Sequence, residues 1–138
     1  MSAQAVMGWL ERRRAGYRAY AALVGEQATA LLQEDFGRIR GLELERDRLA
    51  QGPLAEAVPG DLEALLASSG SVRAAYAETR GEMERALGLE RAYRRGLESV
   101  LETTRAELAE VQGSGTPRSP YGRQPAGAGA GAALDLRR

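Results

Sequence analysis

Residues 51–61 read Gln51-Gly-Pro-Leu-Ala-Glu-Ala-Val-Pro-Gly-Asp61. Gly52-Pro53 ends any helix that reaches it, because proline cannot continue the hydrogen-bond ladder and glycine accepts a left-handed cap. Pro59-Gly60 is a second turn signal. Asp61 behind it reads as an N-cap, with Glu63 in the first turn to complement the helix dipole. The stretch therefore separates two helical zones and starts a third element of its own.

On the N-terminal side, Ala3 to Gln51 is rich in Ala, Leu, Glu and Arg. Val6, Leu10, Tyr17, Tyr20, Val24, Ala28, Leu31, Ile39, Leu42 and Leu49 recur every three or four positions, interrupted by Asp35 and Arg46. This is the stripe of an amphipathic helix. Unbroken, it would extend roughly 70 Å at about 1.5 Å per residue. On the C-terminal side a short helix is expected from Asp61 to about Ser68, broken at Ser68-Ser-Gly-Ser71, with Ser71 able to cap the next segment. A second long helix follows from about Val72 to Gln112, carried by Tyr76, Met83, Leu87, Tyr93, Leu97, Val100, Leu101, Thr104, Leu108 and Val111, and a helix continuous from Asp61 is the alternative. The expectation is an all-α fold: an antiparallel hairpin of two long helices with a short intervening helix, a three-helix arrangement over residues 1–112. Gly16, Gly25, Gly37 and Gly41 sit inside the first of these helices and Gly81, Gly88 and Gly96 inside the second, and each costs up to about 1 kcal/mol relative to Ala.

Beyond Gln112 the composition changes. Gly113-Ser-Gly-Thr-Pro-Arg-Ser-Pro120 and Gln124-Pro-Ala-Gly-Ala-Gly-Ala-Gly-Ala-Ala133 are low in complexity and bury too little apolar area to offset their ordering entropy, so residues 113–138 are expected to form a disordered tail. Charge follows the same zones. Residues 1–60 carry eight Arg and eight acids; residues 61–112 carry seven Arg and ten acids; residues 113–138 carry four Arg and one Asp. Within the tail, Ser119-Pro-Tyr-Gly122 holds a solitary aromatic, the form a short docking motif takes.

The omissions restrict the chemistry. Of 138 residues none is Cys or His, and all 19 basic residues are Arg, with no Lys and no Asn. Thiolate nucleophiles, disulfides, imidazole bases, Schiff-base lysines and P-loop lysines are excluded. Arginine in place of every lysine, beside abundant Ala and Gly, has the look of a GC-rich genome rather than of selected bidentate contacts. The carboxylates alternate with Arg at helix-surface spacing, as in Glu43-Leu-Glu45-Arg46-Asp47-Arg48, which is a solvated face. No enzyme activity, metal or cofactor is expected. Nucleic-acid binding is not expected either, since of the basic groups Arg12-Arg13-Arg14-Arg18, Arg94-Arg95 and Arg137-Arg138 the first two have acids within a turn or two and only the last lies in a net basic segment, the tail. Apolar runs fall far short of the roughly 20 residues a membrane span requires. The N-terminal charges follow the apolar stretch, the reverse of a secretory signal, so a cytoplasmic location is expected.

Three features together resemble the FlgN family of flagellar export chaperones. They are the run from Leu23-Val-Gly-Glu26 through Leu31-Leu-Gln-Glu-Asp35 to Leu42-Glu-Leu-Glu-Arg46, the second helix closing near Leu108-Ala-Glu-Val111, and the Tyr121-Gly122 pair after it. The chain departs from that family in lacking the Asn residues of its last helix and the Lys-Glu pair of its first. The resemblance implies a cytoplasmic chaperone that binds the C-terminal helices of hook-filament junction proteins, prevents their premature association and delivers them to the cytoplasmic domain of the export gate. It implies gate docking through Tyr121 and Gly122, and a client groove formed by Tyr93, Leu97, Val100, Leu101, Leu108 and Val111. The alternatives are another secretion-system chaperone or coiled-coil escort, and a structural helical homo-oligomer.

Overall fold

The computed structural model describes residues 2–113. They form helices α1 (Ala3–Leu32), α2 (Phe36–Gln51), α3 (Leu62–Ser68) and α4 (Gly70–Gly113), with a single 3-10 turn at Pro53–Ala55. The expected disordered tail and its Tyr121-Gly122 motif lie outside the described residues.

The first long helix is not continuous. A Schellman motif ends α1: the Glu34 N–H donates to Leu31 O (3.1 Å) and the Asp35 N–H to Ala30 O (2.9 Å). Glu34 adopts the left-handed conformation this motif requires, at φ 55. Asp35 then caps α2, accepting from the Arg38 N–H at 3.1 Å. One three-residue turn thus closes α1 and opens α2. The reversal lets Leu42 and Arg46 bury against α1 instead of projecting into water.

That reversal also corrects the expected pairing. α2 runs antiparallel to α1, since Gln27 bonds Ile39 O (3.1 Å), Arg46 bonds Tyr20 (2.7 Å), and Leu54 reaches Gly16. α4 instead runs parallel to α1. Thr79 donates to Leu10 O, Arg14 pairs with Glu78, Arg18 with Glu82, Tyr20 with Glu90, and Leu31 lies against Gly96, so the partners on α4 advance from 78–79 to 96 as α1 advances from 10 to 31. The antiparallel hairpin is therefore α1 with α2. The connector and α3 return the chain to the starting end, so the long helices pack up-down-up.

α3 is separated from α4 at Ser69, which is extended (φ −124, ψ 118). Ser69, not Ser71, caps α4 by accepting from the Val72 N–H at 3.3 Å. Two apolar clusters hold the bundle. Val6, Trp9, Leu10, Leu62 and Val72 close the end where α1 and α4 begin. Tyr17, Tyr20, Ala21, Val24, Leu31, Leu54, Ala86 and Tyr93 fill the middle, with Ile39, Leu49, Leu97 and Val100 packed against them. Gly16 is required for this packing, because a Cβ there would sit 2.8 Å from Leu54 Cδ2.

Candidate functional site

Two positions that interrupt the apolar stripes meet in the middle of the bundle. Arg46 of α2 and Glu90 of α4 are 2% and 4% exposed, and their charged groups lie 3.8 Å apart. Burying a charge is costly unless partners replace water, and here they do for both Nη atoms of Arg46 though not for its Nε. Arg46 donates through Nη2 to Tyr20 Oη (2.7 Å) and through Nη1 to Gln27 Oε1. Its guanidinium also stands 4.9 Å from the Tyr20 ring centroid. Tyr20 donates in turn to Glu90 Oε2 at 3.1 Å, and Arg94 donates to Glu90 Oε1 at 2.8 Å. Burial pushes the Glu90 carboxyl above its ordinary range against the opposing pull of Arg46, and pushes the Tyr20 and Tyr93 hydroxyls up as well.

This network ties three helices together. Its residues surround a cavity of about 70 Å³, also lined by Ile39, Glu43, Tyr93 and Leu97. Pockets that enclose small molecules run to about 300–1,000 Å³. The space is too small for such a ligand, so the network is read as a clamp that holds α2 in place. A second polar cluster lies towards the chain start. There Arg13 donates to Tyr17 Oη (3.1 Å) and to Glu56 O (2.9 Å), with its guanidinium 5.3 Å from the Trp9 ring. It fastens the connector to α1. No group of three or more potential metal ligands occurs among the described residues.

The surface is more informative than the interior. α4 has 44 residues against 30 in α1, a difference of about 20 Å at 1.5 Å per residue. Gly96, Leu97 and Val100 pack on the bundle towards its end. From Leu101 to Gly113 every residue is exposed except half-buried Gln112, so this stretch overhangs the bundle end. The overhang nevertheless keeps its apolar stripe, with Leu101 38% and Leu108 54% exposed. At the same end the α1–α2 turn exposes Leu32 (87%) and Phe36 (55%).

The structure divides the six expected groove residues. Tyr93 is buried in the central cluster, and Leu97 and Val100 are half-buried against it. Leu101, Leu108 and Val111 face outward along the overhang. Tyr121 and Gly122 fall beyond the described residues. Sequence periodicity alone did not separate the first three from the last three, since all six share one helical stripe. Pairing of the two stripe interruptions, Arg46 and Glu90, was the available signal for the buried clamp.

An open apolar groove also runs between α1 and α2, floored by Ala19, Ala22, Leu23, Leu49 and Pro53. No described helix is long and apolar enough to cross a membrane. Comparisons of the chain with protein-family models, curated proteins and solved structures found no match.

Proposed function

We propose that this protein is a chaperone of the flagellar type III export pathway, which holds the C-terminal helices of hook-filament junction proteins in the cytoplasm and hands them to the export gate. The observation that carries the reading is the overhang of α4. A solitary amphipathic helix leaves apolar side chains in water, and Leu101 and Leu108 are positioned to receive the apolar face of a partner helix. A client that folds on binding contributes its ordering cost, which holds affinity down and allows release. The resemblance of the sequence to flagellar export chaperones supplies the identity of the client and suggests gate docking through Tyr121 and Gly122. No cofactor is required by this activity.

Binding of a junction-protein C-terminal segment, followed by calorimetry, tests the reading. Leu101→Asp with Leu108→Asp is expected to abolish binding while circular dichroism stays unchanged. Unaltered binding would place the client elsewhere. Tyr121→Ala is expected to retain client binding and lose capture by the cytoplasmic domain of the export gate. A different secreted client on the same stripe would mark the protein as another secretion chaperone.

A further inference from the structure

The overhang is acidic as well as apolar. From Leu101 to Gly113 it carries Glu102, Glu107 and Glu110 against Arg105, a net charge of −2, and Glu98 stands one turn before it. On a helix at 100° per residue, Glu107 borders one edge of the Leu101–Leu108 stripe, while Glu98 and Glu102 border the other together with Arg105. Two such surfaces repel each other, which disfavours a second copy as the occupant. The complementary charge lies in the same chain. Residues 114–138 carry Arg118, Arg123, Arg137 and Arg138 against Asp135, a net charge of +3. Their bulky apolar residues other than Tyr121 are concentrated in Leu134-Asp-Leu-Arg-Arg138.

We propose that residues 114–138 dock back on the α4 overhang, with Leu134 and Leu136 against Leu101 and the base of the stripe, and Arg137 and Arg138 beside Glu98 and Glu102. The reach is ample. The overhang spans about 20 Å at 1.5 Å per residue. The 20 residues from Ser114 to Ala133 extend to at most about 70 Å. Tethering raises the local concentration of the Leu-Arg end into the millimolar range, so a contact too weak to form between molecules is populated within one. The segment then occupies the surface a partner helix would need, and a partner must displace it. That last consequence rests on the chaperone reading; the docking itself does not.

Paramagnetic relaxation on the full chain tests the docking. The chain lacks cysteine, so Gln33→Cys gives one spin-label site on the exposed α1–α2 turn at the base of the overhang. Docking predicts amide broadening that is strongest at Leu134 to Arg138 and weaker near Ser114, although Ser114 is closer along the chain to the bundle. Arg137→Glu with Arg138→Glu should remove that broadening, as should 1 M salt, where the screening length is about 3 Å. A profile without a maximum at Leu134–Arg138, or one indifferent to both charge reversal and salt, overturns the proposal. Mixing spin-labelled chain with isotope-labelled chain identifies the remaining occupant, because broadening between molecules would show that the surface takes a second copy instead. If docking holds and Arg137→Glu with Arg138→Glu leaves junction-protein affinity unchanged, the chaperone reading of the surface fails while the docking stands.

Discussion

Arg46 carries its charge to 2% exposure with Tyr20, Gln27 and Glu90 as partners. Removing one member of such a group strands the others without water. Arg46→Ala is expected to cost about 3–5 kcal/mol in equilibrium urea unfolding. Arg46→Leu combined with Glu90→Leu should recover most of that loss, because an apolar pair leaves no uncompensated charge. Glu90 also sets a pH dependence. Its carboxyl is raised by burial, so the folded chain holds that proton to higher pH than the unfolded chain does. Its contribution is fully present below the ordinary carboxylate value of 4.5 and is lost as pH rises through the raised value in the fold. Glu90→Gln should flatten that decline, and urea midpoints of the two proteins across the window check it.

The decisive element is the turn at Gln33-Glu-Asp35. It contains neither Gly nor Pro, and the residues on both sides continue one helical period, so the stripe from Ala3 to Gln51 reads as a single helix. The trace it left was Asp35, a capping residue standing inside an apolar stripe. Glu34 bears a conformational cost there, since an L-residue in the left-handed region is disfavoured by roughly 1–2 kcal/mol. Glu34→Gly should therefore stabilise the protein by about 1 kcal/mol in thermal unfolding, part of the relief being offset by added freedom in the unfolded chain. The helix-interior glycines separate by the same physics. At Gly81 and Gly88 of α4 an added Cβ would meet nothing within 4 Å, whereas at Gly16 it would meet Leu54 Cδ2 at 2.8 Å. Gly81→Ala and Gly88→Ala should each add about 0.5–1 kcal/mol. Gly16→Val should lose about 1–3 kcal/mol through overpacking.

At the scale of the molecule, the unequal lengths of α1 and α4 create the surface on which function is proposed. Leu97 packs against the central cluster, whereas Leu101 and Leu108 stand beyond it. Leu97→Asp should consequently destabilise the bundle by several kcal/mol, as an unpaired charge in a packed site does. Leu101→Asp and Leu108→Asp should each change stability by no more than about 0.5 kcal/mol. Chemical denaturation of the three variants separates a core residue from a docking residue on one and the same stripe.

The amino-acid sequence by itself determined the helical class, the stops at Gly52-Pro53 and Pro59-Gly60, the start of a helix behind Asp61, and the end of α4 to within one residue, whereas the break at Ser69 that separates α3 from α4 came from the structure. The features legible in the sequence are local: a 3.6-residue period, the turn preference of Pro-Gly and a missing N–H act within a few residues of themselves. Tertiary structure alone decided that α1 turns back at Glu34, that α4 lies parallel to α1, that Arg46 meets Glu90, and that the stripe of α4 passes from core to open surface after Val100. Periodicity states which face of a helix is apolar. Which partner covers that face, in which direction and for how far, depends on contacts between residues 12 to 70 positions apart, and those arise only when the chain packs.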